Sequence, residues 1–169
     1  MAKLGRKSVY IAGPLTDVSP KDRAIYREFY ESLGKVCAEF GLEPYLPHQH
    51  SDPARHLHLT PQRVDQNDRL AVTQSVLVVA YVGAPSLGVG IEVEMAHHAS
   101  KPVVILAEQT KIVARRITRM VRGNPAVMSE IAFRDFEDAK IQLHQFLQGF
   151  VQEMSDAELP RPLRLESRS

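Results

Sequence analysis

Two acidic residues have types and neighbours that could do covalent chemistry. Glu92 closes the string Ala84-Pro85-Ser86-Leu87-Gly88-Val89-Gly90-Ile91-Glu92, and Asp68 lies in Asp65-Gln66-Asn67-Asp68-Arg69. A carboxylate beside an anomeric carbon can attack it or stabilise its developing positive charge. A second carboxyl can manage the proton of the departing group. Glycosidic bonds are broken by that division of labour. In the Glu92 string, Gly88 and Gly90 predict a tight turn that lets the backbone approach a ligand. The helix expected from about Val89 to Ala99 offers free N–H groups to an anion, and Ser86 adds a hydroxyl. Glu92 is expected in the first turn of that helix, where the dipole favours its ionised form. The string is neither a phosphate loop, because no Gly-Lys-Ser/Thr follows, nor the dinucleotide fingerprint, because the third glycine is missing. Taken alone it also fits a glycine-containing turn before an ordinary helix. Asp65 and Arg69 fit a solvated i,i+4 pair on a polar helix face; that reading explains Asp68 less well, which could face the same crevice as Glu92. Tyr10, in mid-strand and expected to be half-buried, carries a phenol that could orient a carboxylate.

Other reactive side chains point less far. His48, His50, His56 and His58 crowd the polar segment from Pro47 to Leu59, expected to be a loop. They lack the tight ligand pairs of a closed zinc site, so neither metal nor cofactor is expected. His97-His98 reads as surface or interface, and Cys37 as core. With one cysteine there is no intramolecular disulfide and no cysteine-based zinc cluster.

The elements that must hold these residues alternate along the chain. Apolar runs at Val9–Ala12, Ser75–Val82 and Pro102–Ala107 read as buried parallel strands. Leu42–Leu46 reads as a short edge strand because of Pro44, and Ala126–Phe133 as a fifth. Ser19-Pro20 opens a helix whose apolar face is Ile25, Phe29, Leu33, Val36 and Phe40, stopped by Gly41. Thr60-Pro61 opens another, to about Val72. Lys111, Arg115, Arg116, Arg119 and Arg122 lie on a predicted helix over 111–122, and Asp135 caps the last one. The fold expected is α/β: a three-layer, doubly wound, five-stranded parallel sheet, flavodoxin- or Rossmann-like. One domain spans 1–155, and 156–169 is a C-terminal tail expected to be mobile. Such folds bind ligands at the carboxyl ends of the strands, where Gly13 and the Ser86–Glu92 string fall.

The 169 residues are 44% hydrophobic and 24% charged, with 21 Lys+Arg against 20 Asp+Glu and a net charge of +1. That length buries a core without disulfides, and that balance argues against a nucleic-acid binder. No apolar run approaches the ~20 residues of a membrane span. The basic lead from Met1 to Lys7 has no apolar region behind it, so a soluble cytoplasmic protein is expected.

Tyr10-Ile11-Ala12-Gly13-Pro14-Leu15, then Asp68, then Pro85-Ser86-Leu87-Gly88-Val89-Gly90-Ile91-Glu92 resemble the nucleoside 2-deoxyribosyltransferase superfamily. The branch most similar is that of the 2′-deoxynucleoside 5′-monophosphate N-glycosidases. The similarity extends to Met120-Val121-Arg122-Gly123 and Asp135-Phe136-Glu137, and takes in most of residues 8–153. The resemblance implies that Glu92 attacks C1′ to form a glycosyl-enzyme ester, that Asp68 serves the departing base, and that Tyr10 orients Glu92. It implies that Ser86 and Gly88 hold a 5′-phosphate. Thr118 falls where the family has a phosphate-binding serine from the neighbouring subunit, which implies a homodimer with shared sites. Gly13, Gly90, Arg119, Arg122 and His48 complete the expected substrate contacts. Thr16 stands where the glycosidase branch has a phosphate-binding arginine, so Lys21, Arg23, Arg119 and Arg122 are candidates for the missing charge. The Gly-Pro-Leu form is closer to the transferases and to cytidylate hydrolases of antibiotic pathways. The expected substrate is a small-molecule nucleotide or nucleoside. The expected activity is hydrolysis of the N-glycosidic bond, with base exchange and non-catalytic nucleotide binding as the alternatives.

Overall fold

The computed structural model describes residues 7–16, 18–52 and 54–158. Its elements run β1 (Ser8–Ala12), α1 (Pro20–Glu39), β2 (Glu43–Tyr45), α2 (Pro47–Ser51), α3 (Pro61–Gln74), β3 (Ser75–Tyr81), α4 (Leu87–His98), β4 (Val103–Glu108), α5 (Gln109–Val113), α6 (Arg119–Arg122), β5 (Val127–Phe133) and α7 (Phe136–Glu158). The strands form one five-stranded sheet in the order β2-β1-β3-β4-β5, and every pairing is parallel. This is the doubly wound α/β fold expected, in the flavodoxin-like order, with its switch point between β1 and β3. β2 takes the edge, where Pro44 costs no ladder bond.

Strand side chains alternate between two cores. Val9, Ile11, Leu77, Val79 and Tyr81 meet α1 and α7 on one face, through Phe29, Leu33, Leu143 and Leu147. Tyr10, Ala12, Val78 and Ala80 meet α3 and α4 on the other, through Val72, Val89, Val93 and Ala96. Tyr10 is therefore fully buried rather than half-buried. Cys37 lies in the first core, where burial pushes its thiol up to about 12.

The caps follow the sequence. Ser19 Oγ accepts the Asp22 N–H at 3.1 Å, Thr60 Oγ1 the Arg63 N–H at 3.2 Å, and Asp135 Oδ1 the Asp138 N–H at 2.9 Å. Gly41 sits at φ 73°, the left-handed residue that ends α1.

Four expectations need correction. Residues 47–59 are not all loop, because Pro47 starts the short helix α2. Its end is held by an ion pair between Arg27 and the buried Asp52. The basic stretch 111–122 is two short helices, broken where Arg115 turns left-handed at φ 55° and Ile117 drops into the core. α4 begins at Leu87, so Gly88 and Gly90 are helical rather than turn residues. α7 continues to Glu158, past the predicted start of the tail, and residues 159–169 of that tail lie outside the described residues. Among the described residues, no helix is long and apolar enough to cross a membrane.

Candidate active site

β1 and β3 end side by side at the switch point, and the helices that follow them leave on opposite faces, which opens a crevice. Tyr10 points from β1 toward α4, and its phenol donates to Glu92 Oε1 at 2.6 Å. Glu92 reaches it because Val89, Val93 and Ala96 turn the same side of α4 onto the sheet. α3 approaches from the other flank, with Val72 buried against the sheet. Asp68, one turn earlier, therefore faces inward, while Asp65 and Arg69 pair on the outside at 2.9 Å as expected. Asp68 and Glu92 line one cleft of about 590 Å³, with His56, Thr16 and Gly88 around them. Asp68 Oδ1 is buried in it without a hydrogen-bond partner. Such an atom is uncommon in a folded protein and suits a group waiting for a ligand.

The electrostatics reverse one expectation. Glu92 lies one turn beyond the first turn of α4, too far in for the helix terminus to favour its anion. Burial instead pushes its carboxyl up to about 8, opposed by the Tyr10 hydrogen bond and assisted by the nearby Asp68. Burial pushes Asp68 up to about 6, again opposed by Tyr10 and assisted by Asp65. Two mutually repelling carboxyls in one cleft titrate as a pair. Around neutral pH the pair holds one proton.

A second cleft of about 550 Å³ opens at the head of α4, lined by Ser86, Gly88, Gly90, Arg116 and Thr118 among others. The two clefts share Thr16 and Gly88. Ser86 is the N-cap, its Oγ accepting the Val89 N–H at 3.3 Å, which leaves its own O–H to donate outward. A Cβ on Gly90 would meet nothing within 4 Å, and one on Gly88 only Ser86 Oγ at 3.7 Å. Packing within the chain does not require these glycines, each costing ~1 kcal/mol in a helix interior. They leave the cleft wall bare.

The remaining expected residues divide. Thr118 does line the second cleft, from its own chain. Arg119 and Arg122 line a separate cleft with Arg115 and Ile117, and Arg122 is bound by Glu130 at 2.6 and 2.9 Å. His48 is buried away from both clefts, its Nε2 3.2 Å from Glu31 Oε1. Gly13 does a packing job, since a Cβ there would run into the Tyr30 ring, whose phenol donates to the Pro14 carbonyl at 3.1 Å. Thr16, at the position of the branch's phosphate-binding arginine, lines both clefts, whereas Arg116 and His56 are polar lining residues that sequence reasoning did not place there. They come from connections whose path no periodicity encodes. Among the described residues, no group of three or more His, Cys, Asp or Glu side chains is disposed to hold a metal ion.

A doubly wound α/β protein with a carboxyl pair at its switch point and an open helix N-terminus beside it is the class that fold and site define together. No family model matches the chain. It is 28% identical over 149 residues to the 5-hydroxymethyl-dUMP N-hydrolase of Mus musculus, covering 85% of this chain and 82% of that protein. It is 31% identical over 94 residues to a Thermofilum pendens protein named "Putative 2'-deoxynucleoside 5'-phosphate N-hydrolase 1", covering 55% of this chain and 64% of that one. The fold is similar to that of a CMP N-glycosidase, BcmB, of Clostridium botulinum, with a TM-score of 0.62 at 19% identity over 83% of this chain and 99% of that one. It is also similar to that of a 2-deoxyribosyltransferase from Bacillus psychrosaccharolyticus, with a TM-score of 0.55 at 17% identity over 80% and 95%. Relatives and fold neighbours alike come from the nucleoside 2-deoxyribosyltransferase superfamily, the one that the motifs resemble.

Proposed function

We propose that this chain is an N-glycosidase that splits nucleoside 5′-monophosphates into free base and (deoxy)ribose 5-phosphate. The observation that carries the reading is the Tyr10–Glu92 hydrogen bond of 2.6 Å, made by a carboxyl that lines one cleft together with Asp68. The sugar lies where the two clefts meet, the base toward Asp68, and the phosphate at the head of α4, on Ser86 and the open Gly88–Gly90 wall.

The ionised Glu92 forms a bond from one carboxylate oxygen to C1′ while the C1′–N bond breaks. Its electron pair leaves with the base, which takes a proton from Asp68. Water then attacks C1′, passing its proton to Asp68, and Glu92 departs as the carboxylate. The pair thus begins and ends the cycle with one proton between its members. Burial favours that proton on Glu92. The positive charge that develops on the sugar stabilises the anion there, and the Tyr10 phenol supports it through its hydrogen bond. The proton is then left to Asp68, where the base needs it.

A chromatographic screen of the common ribo- and deoxyribonucleotides for free base tests this reading. Release by the parent and none by Glu92→Ala is the result expected. Binding of a nucleotide with no release by the parent would make the chain a binding module. Adding a second free base tests for exchange, which a newly formed nucleoside would reveal. Thr118 can contact phosphate from its own chain, so the proposed homodimer is a separate question, read by analytical ultracentrifugation. A cytoplasmic location is likewise part of the proposal, in keeping with a substrate drawn from the nucleotide pool.

A further inference from the structure

The cleft at the head of α4 has one charged side chain among its described lining residues, Arg116. We propose that Arg116 is the cation that binds the substrate's 5′-phosphate and sets the preference for phosphorylated over unphosphorylated substrates. The assignment rests on the reading given above, and it names a residue outside the motifs that support that reading.

Three of the other cations, Arg23, Lys111 and Arg122, are bonded within the protein. Arg23 Nε donates to the Leu15 carbonyl at 3.0 Å, and its terminal nitrogen lies 3.4 Å from the Thr16 and Val18 carbonyls, so it braces the loop after β1. Arg122 is held by Glu130. Lys111 Nζ donates to Glu108 at 2.6 Å and to the Gly83 carbonyl at 2.7 Å. Arg119 lies in the separate cleft with Arg115. Arg116 has no carboxylate partner among the described residues, and its side chain is exposed.

The backbone fixes where Arg116 stands. α5 ends with Arg115 in the left-handed region at φ 55°, a conformation that glycine usually supplies. The Arg115 N–H bonds the Ile112 carbonyl at 3.0 Å, and the Arg116 N–H bonds the Lys111 carbonyl at 2.9 Å. That is the Schellman pattern with an arginine in the glycine position. Ile117, buried in the core, anchors the next residue. Lys111 thereby joins both walls of the cleft: its carbonyl holds Arg116, and its ammonium holds Gly83, at the start of the segment that leads to Ser86. A phosphate monoester offers three acceptor oxygens. The N–H groups of α4, the Ser86 and Thr118 hydroxyls and a guanidinium fork satisfy them together.

The test compares the parent with Arg116→Met and Arg116→Lys on a nucleoside 5′-monophosphate and its nucleoside. A parallel measurement reads binding of ribose 5-phosphate and 2-deoxyribose 5-phosphate by calorimetry, which needs no turnover. Arg116→Met should raise KM for the monophosphate about tenfold or more, leave the nucleoside unaffected, and weaken sugar-phosphate binding by a similar factor. Arg116→Lys should recover part of both. Equal KM values for parent and Arg116→Met on the monophosphate would overturn the assignment. So would an equal loss on nucleoside and nucleotide, or a parent that binds neither sugar phosphate. If the parent releases no base yet binds a sugar phosphate through Arg116, the hydrolase reading fails and the assignment stands.

Discussion

Replacing Glu92 by Gln should abolish turnover and, at alkaline pH, make the protein more stable. A glutamic acid ordinarily titrates at 4.5, and burial pushes Glu92 up to about 8. A raised carboxyl contributes stability that is fully present below the unfolded value and is lost as pH rises through the folded one. The loss therefore runs from about pH 4.5 to about pH 8. Each pH unit in that window is worth ~1.4 kcal/mol, which bounds the effect at ~5 kcal/mol. Asp68 shares the titration and the side chain keeps some solvent contact, so ~2 kcal/mol is the part expected to appear. Gln preserves the shape and an acceptor for Tyr10 but carries no charge to desolvate. Urea unfolding of parent and Glu92→Gln at pH 5 and pH 9 measures the difference directly. The variant's advantage should grow by ~2 kcal/mol between the two pH values. A difference that is the same at both would show that Glu92 is solvated like any surface carboxyl, and the account of the carboxyl pair would fall with it.

Activity should follow a bell-shaped pH profile with limbs at about 6 and about 8, the two values of the Asp68–Glu92 pair. Below the lower limb no carboxylate attacks, above the upper one no acid serves the base, and a flat profile from pH 5 to 9 would contradict this. Tyr10→Phe removes the phenol that lowers both carboxyls, so both limbs should move up and kcat should fall; unmoved limbs would count against an orienting role. Arg27→Ala strands the buried Asp52 and should cost ~3–5 kcal/mol in chemical unfolding. A loss under 1 kcal/mol would mean that Asp52 finds water or another donor. Gly13→Ala drives a methyl into the Tyr30 ring and should destabilise by ~1–3 kcal/mol, read as a lowered Tm.

What the sequence makes legible is whatever one element decides alone. The β3 run Val76 to Tyr81 needs two covered faces, so the parallel sheet is readable from it, and the caps at Ser19, Thr60 and Asp135 are readable because each bonds its own helix. Asp68 is readable by subtraction, once Arg69 claims Asp65. Titration is not readable in this way. Glu92 looks like a first-turn anion until Ser86, rather than a residue near Gly90, proves to be the N-cap. That shift of about two residues moves it from the helix terminus to the wall of a buried cleft and changes the sign of its pKa displacement. The basic stretch 111–122 fails for a related reason. Five cations at helical spacing fit a solvated helix face, whereas the chain must turn back from β4 to β5 and bury Ile117 on the way. The turn is made at Arg115, and it decides which cation faces the α4 cleft. Local pattern thus brings out the carboxyl pair, while the proposed partner of the phosphate depends on a left-handed residue that no composition rule would place at an arginine. A specificity residue supplied by a connection can change without disturbing the sheet or the carboxyl pair, so substrate preference on this fold can shift while its chemistry stays in place.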